Sequence, residues 1–324
     1  MTTDAASPRR ILVIKHGAFG DIIQAEGALR DIRENHPGSD ITVLTTPAYR
    51  RILERCPWID HVMIDARKPR WRLDLMWKLR RQLREAKFDM VYDLQNSSRT
   101  AFYFRWFLRD TAWSGTAPGC SHPHRAKNPK KIRTLNRLAG QLRDAGLNVR
   151  HALKPDVSWL ADDVSGLLAQ AGVREPFIML VPGCSARHPE KRWPYYAELA
   201  SALLAEGRSV VMAPGPDEID LARTIPGKLL TDVHGFLTWY ELAGVFRRAA
   251  FVVGNDTGPS HLASHIGAQG LALFGPYAPA ERTGIERANF RVIEAADLRA
   301  LPVERVLDEI HLALPGTESA SAAG

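Results

Sequence analysis

Asp256, Thr257, Gly258 and His261 stand together directly after the β-branched and aromatic run Phe251, Val252, Val253. A strand that ends where a helix begins exposes free backbone N–H groups, and here a carboxylate, a hydroxyl and an imidazole join them. That collection suits a phosphate. A second apolar run at 271–274 closes on Gly275-Pro276, so the segment reads as one βαβ unit with its loops on the ligand side of a parallel sheet. A plainer reading makes Asp256 a helix N-cap worth ~1 kcal/mol, with Thr257 as its neighbour. His261 and His265 share a helix face at metal-ligand spacing. No glutamate follows the first histidine and no third ligand is evident nearby, so no metal is expected there.

Two more loops carry the residue types of a ligand site. In Gly17-Ala18-Phe19-Gly20-Asp21, Gly17 and Gly20 allow backbone to approach a ligand, and Asp21 faces outward from a first helical turn. Such a carboxylate can serve as a general base if it reaches a hydroxyl. It would equally stabilise the helix dipole with no ligand at all. Pro182-Gly183-Cys184-Ser185 followed by Glu190-Lys191-Arg192-Trp193-Pro194 places two adjacent cations at a strand end. Lysine there acts as a point charge on a phosphate, while Trp193 reads as a core plug and Pro194 suits the first position of the next helix.

These loops need strands and helices to hold them. Apolar runs at 11–14, 41–44, 62–64 and 90–94 alternate with helical spacing at 22–35, 49–56 and 73–86. Alternation of this kind predicts a parallel, doubly wound α/β sheet. The pattern lapses over 147–159, where the linker is expected, and a second series follows: strand 177–181, loop 182–194, helix 195–206, strand 209–213. Two domains are therefore expected, at 9–154 and 155–314, with polar ends at 1–8 and 315–324 that read as disordered. Loops of the two domains facing one another would grip a ligand from both sides.

Composition narrows the class. The chain has 324 residues, 45% hydrophobic and 24% charged, with three widely spaced cysteines, Cys56, Cys120 and Cys184. No apolar run approaches the ~18 residues of a membrane span, and Lys15 and His16 interrupt the first one, so neither a membrane-spanning protein nor a secretory signal is expected. An odd, scattered cysteine count fits a reducing compartment, and a cytoplasmic protein is expected. Residues 1–150 hold 28 Lys+Arg against 15 Asp+Glu, which leaves 15 against 21 for the rest. Much of the positive charge lies in 67–87 and 99–143, interleaved with Trp71, Trp77, Phe102, Tyr103, Phe104, Trp106 and Phe107. Basic residues mixed with aromatics suit an anionic partner, whether nucleic acid, a phosphorylated glycan or an acidic bilayer surface. No nucleic-acid motif is present, no P-loop lysine follows the first loop, and the dinucleotide fingerprint is incomplete.

Taken together, Lys15-x-x-x-x-Gly20-Asp21, Pro182-Gly183 with Lys191-Arg192-Trp193-Pro194, and Asp256-Thr257-Gly258-Pro259-Ser260-His261-Leu262 resemble glycosyltransferase family 9, the ADP-heptose:lipopolysaccharide heptosyltransferases. Asp93-Leu94-Gln95 and Leu273-Phe274-Gly275-Pro276 match as well, and the resemblance runs from about Arg10 to about Leu312. It implies a GT-B architecture of two Rossmann-like domains, the N-terminal one for the acceptor and the C-terminal one for the nucleotide sugar, with the last helix packing back on the N-terminal domain. It also implies inverting displacement from ADP-heptose, with no metal and no cofactor, to an anionic lipid-linked glycan at the inner-membrane surface.

By matching position, Asp21 is the candidate base. Lys191, Thr257, Gly258 and His261 are candidates for the donor phosphates, and Asp256 for donor sugar hydroxyls. Gly17, Gly20, Gly183, Ser185, Gly215 and Glu218 are expected near ligand, with 214–218 and 233–241 bordering the nucleobase. Lys15, Gln95 and Arg99 are the acceptor candidates. His16-Gly17 and Tyr277-Ala278-Pro279 depart from the family pattern. A different nucleotide sugar, or a non-catalytic binding protein on the same scaffold, are the other readings.

Overall fold

The computed structural model describes residues 9–125, 132–185, 187–231, 235–276 and 279–315. The expectations for the two ends, for 233–234 beside the nucleobase and for Tyr277-Ala278 fall wholly or largely outside the described residues. The chain divides into two compact units, Met1–Trp159 and Leu160–Gly324.

Among the described residues the first unit carries β1 Arg10–Ile14, α1 Phe19–Asn35, β2 Asp40–Thr45, α2 Arg50–Glu54, β3 His61–Ile64, α3 Leu73–Glu85, β4 Met90–Asp93, α4 Ser98–Trp106, β5 Ala112–Gly115, β6 His122–Pro123 and α5 Thr134–Asp144. All pair in parallel, in the order β3-β2-β1-β4-β5-β6. Ile11 to Ile14 are wholly buried because β1 is covered on both faces, which is why it reads as a continuous apolar run rather than an alternating one.

The second unit carries α6 Ser165–Gln170, β7 Phe177–Val181, α7 Tyr196–Ala205, β8 Ser209–Met212, α8 Ile219–Arg223, β9 Lys228–Leu229, α9 Trp239–Arg248, β10 Phe251–Asn255, α10 Gly258–His265, β11 Gly270–Phe274, α11 Ala280–Thr283, β12 Phe290–Glu294 and α12 Val303–Ala313. Its order is β12-β11-β10-β7-β8-β9. Counted from its own first strand, that is the same doubly wound order as the first sheet. Such an order places a crevice where the strands reverse, between β1 and β4 in one unit and between β7 and β10 in the other. The three candidate loops leave the carboxyl ends of β1, β7 and β10.

Buried carboxylates of α1 hold the chain ahead of the second unit: Asp31 accepts the N–H groups of Arg150, His151 and Ala152, and Glu26 accepts that of Asp156 at 2.7 Å. The last helix buries Val306 and Ile310 in the core of the second unit beside α7. An amphipathic helix is stable where its apolar stripe is covered, and here its own unit covers it. Trp193 is buried and its indole N–H donates to Leu301 O at 2.9 Å, so it is the core plug expected; Pro194 precedes the helix rather than opening it.

Candidate functional site

At the reversal point of the first unit, β1 hands the chain to α1 through Lys15–Ala18. Gly17 has φ +117°, and a Cβ there would stand 2.2 Å from the Tyr49 ring, so the turn needs glycine on both counts. Gly20 and Asp21 lie in the first turn of α1. One oxygen of Asp21 accepts the Ala18 N–H at 3.0 Å, and the other stands 3.8 Å from Lys15 Nζ. The carboxylate thus serves the helix start and remains 38% exposed, able to meet a ligand. Lys15 is buried; burial depresses its pKa and the Asp21 charge opposes that.

Behind the loop lies a buried polar network that the sequence reading missed. Arg99 donates to both oxygens of Asp65 at 2.9 Å and to Lys68 O at 2.8 Å, and the Tyr103 hydroxyl also bonds Asp65. Burial would raise the Asp65 pKa, but the bonds from Arg99 and Tyr103 outweigh it and hold the carboxyl below its ordinary value. His16 Nε2 lies 3.2 Å from Asp65, and burial drives the imidazole pKa down to about 4 against that carboxylate's pull. Asp93 is buried at the end of β4, where desolvation lifts its pKa to about 6 despite hydrogen bonds from Thr100, Asn96 and Gln95.

The acceptor candidates therefore look inward. Gln95 Oε1 accepts the His16 N–H at 2.9 Å, Arg99 is committed to Asp65, and Lys15 sits beneath Asp21. The Arg99 guanidinium is bidentate on a buried carboxylate, a geometry that fixes both groups. Its signal was the Ser97-x-x-Thr100 capping box, whose mutual bonds start α4 and fix where Arg99 points.

At the reversal point of the second unit, three loops are tied by one side chain. Asn255, fully buried at the end of β10, accepts from the Trp193 N–H (3.0 Å) and the Tyr196 hydroxyl (3.2 Å) and donates to Pro182 O (3.0 Å) and Gly183 O (3.1 Å). Its amide is satisfied at both ends. The tie fixes the loop bearing Lys191 against the strand bearing Asp256. Lys191 Nζ donates to Asp256 Oδ2 at 2.6 Å, and His261 Nε2 lies 3.6 Å from Oδ1. Burial opposes ionisation of Asp256; His261 and Lys191 overcome it and lower the pKa.

Asp256 is not the N-cap of α10. Thr257 occupies that position without a side-chain capping bond, so the N–H groups of the first turn are not taken by the cap. Gly258 opens the helix, and His261 is buried one turn in. A Cβ on Gly183 would fall 1.7 Å from Glu218 Oε1, so glycine lets that carboxylate lie against the β7 loop; Glu218 also accepts the Gly215 N–H at 3.0 Å. Ser185 is exposed, and its hydroxyl accepts the Arg187 N–H at 3.3 Å. His265 Nδ1 is spent on His261 O at 2.9 Å, and among the described residues no three His, Cys, Asp or Glu side chains converge as metal ligands.

A family model described as glycosyltransferase family 9 (heptosyltransferase) matches residues 76–304. The chain belongs to glycosyltransferase family 9. It is 26% identical over 294 residues to lipopolysaccharide heptosyltransferase 2 of Escherichia coli K12, covering 83% of this chain and 84% of that one. The glycosyl transferase family 9 structure from Veillonella parvula superposes with a TM-score of 0.78 at 20% identity, over 94% of this chain and 97% of that one. The E. coli ADP-heptose lps heptosyltransferase II gives 0.74 at 21%, over 94% and 98%. The GT-B fold of two Rossmann-like units is the one expected, and the protein is a glycosyltransferase. No helix among the described residues is long and apolar enough to cross a membrane.

Proposed function

We propose that this family 9 enzyme transfers a heptose from ADP-heptose to an anionic, lipid-linked glycan of the lipopolysaccharide-core type, without a metal and with inversion at the anomeric carbon. The observation that carries the reading is the Lys191–Asp256–His261 cluster at the N-terminus of α10. A diphosphate arriving there meets first-turn N–H groups, the helix dipole, an ammonium and an imidazole. Lys191 exchanges its bond to Asp256 for one to phosphate, and the released Asp256 carboxylate accepts donor sugar hydroxyls. The donor's likeness to ADP-heptose is supported by the E. coli relative named for that substrate.

In the reaction, the acceptor hydroxyl oxygen bonds to the anomeric carbon as the carbon–phosphate-oxygen bond breaks. Asp21 takes the hydroxyl proton, and the electron pair leaves on ADP. Positive charge already fixed around the leaving diphosphate lowers the barrier without reorganisation. The test is a thermal-shift screen of ADP, UDP, GDP and their sugars, followed by transfer to a deacylated core-glycan acceptor with the product anomer read by NMR. Selective stabilisation by ADP and an inverted product are expected, because only a ligand of the native state raises the midpoint. A selective shift by UDP or GDP, or a retained anomer, overturns the assignment.

A further inference from the structure

Three of the eight tryptophans are strongly exposed, and all three lie on or just before α3 and α4 of the first unit: Trp71 (75%), Trp77 (65%) and Trp106 (59%), with Leu73 (69%) at the start of α3. Burial of a core cannot explain them. On α3, Met76, Leu79 and Leu83 form the covered stripe, which leaves Leu73 and Trp77 with Arg81 and Arg84 on the outward one. Arg80 ties this helix to the next, its Nε donating to Trp106 O at 3.3 Å. Guanidinium groups are held beside the rings: Arg80 lies 5.5 Å from the Trp77 ring, Arg105 5.5 Å from that of Trp106, and Arg70 5.6 Å from that of Phe102. Over 67–87 the chain carries nine Lys or Arg against Asp74 and Glu85, and Asp74 is taken up by Arg72.

We propose that this face of α3 and α4 docks on an anionic phospholipid bilayer, with Trp71, Trp77 and Trp106 set at headgroup depth and the arginines on lipid phosphates. Indole rings prefer that depth because one edge is apolar and the N–H is wet, and clustered basic residues follow the negative surface potential. A second copy of the chain is a poor occupant, since a two-fold contact would lay this positive surface on itself. The face begins at the loop after β3, where Lys68 O bonds Arg99 of the polar network behind Asp21. Docking there holds the unit bearing Asp21 at the surface from which a lipid-linked acceptor projects. The inference rests on the proposed lipid-linked acceptor for its purpose, but not for its test.

The test is flotation of the full-length protein with vesicles of phosphatidylcholine alone or mixed with phosphatidylglycerol, together with quenching of tryptophan fluorescence by brominated acyl chains. The wild type is expected to float with the anionic vesicles only, to be quenched, and to be released by salt. Trp71→Ser/Trp77→Ser/Trp106→Ser and Arg70→Glu/Arg80→Glu/Arg81→Glu are each expected to weaken binding by roughly tenfold or more. ADP affinity and transfer to the deacylated acceptor should be unchanged; Trp77→Ser alone serves if a triple variant misfolds. Equal flotation of wild type and variants, absence of quenching, or indifference to phosphatidylglycerol overturns the docking face. A wild type that floats as expected but transfers no sugar leaves the face standing and refutes the proposed function.

Discussion

The two reversal points share one topology and hold their charges in opposite ways. In the first unit the cation is the buried partner: Lys15 lies under its loop, 4% exposed, while the Asp21 carboxylate beside it stays 38% exposed. In the second, the carboxylate is the buried partner, 9% exposed, and the Lys191 ammonium on it is 18% exposed. The contrast matches two tasks. A base must present a bare oxygen to an incoming hydroxyl, whereas a diphosphate site must keep positive charge stored until phosphate replaces its internal partner. A repeated fold has thus been given complementary electrostatics by changing the residues after two strands in each half.

The sharpest way to break the comparison is at Asp21. Asp21→Asn should lower kcat about a thousandfold, within the usual range for a general base, with the Michaelis constant for the donor little changed. A kcat within tenfold of wild type would remove the base and the contrast with it. Next in size, Asn255→Ala strands two carbonyls, an N–H and a hydroxyl. It should cost about 3 kcal/mol and lower the second unit's melting temperature by roughly 10 °C in calorimetry. Loss of the tie should also weaken ADP, since it aligns the Lys191 loop with Asp256.

A smaller effect sharpens the picture of the first unit. Burial holds the His16 pKa at about 4, below its ordinary 6.5, so the folded state resists protonation and stability falls as pH drops from 6.5 towards 4. Burial lifts Asp93 to about 6 from 3.8, so acidification through that window favours the folded state. Each amounts to about 3 kcal/mol with opposite sign, and they nearly cancel. Asp93→Asn should therefore make urea-unfolding stability fall by about 3 kcal/mol more than wild type between pH 6.5 and 4. Parallel pH profiles would show that Asp93 is not buried as described.

Much of this was legible in the sequence because central parallel strands are continuous apolar runs and their loops must end in Gly, Pro or polar residues. The apolar run 177–181 marks the strand limits observed, and Lys191, Asp256 and His261 stand out by residue type in the loops that the geometry joins. The short strands β5 and β6 escaped because two to four residues carry no periodicity. The Arg99–Asp65 pair is illegible for a related reason: charge on a linear sequence does not reveal a buried partner, and Asp65 lies 34 residues away. Asn255 left no local signal, since its four bonds reach segments some 60 to 70 positions upstream.

The central claim is that the diphosphate is held by the second unit alone while the chemistry needs the first. Calorimetric titration of ADP into Lys191→Ala and Asp21→Asn, side by side with the wild type, tests it most directly. The account predicts an affinity reduced about 10- to 100-fold in Lys191→Ala, the scale of a lost charge-assisted bond, and unchanged in Asp21→Asn. Unaltered binding by Lys191→Ala, or a comparable loss in Asp21→Asn, would contradict it.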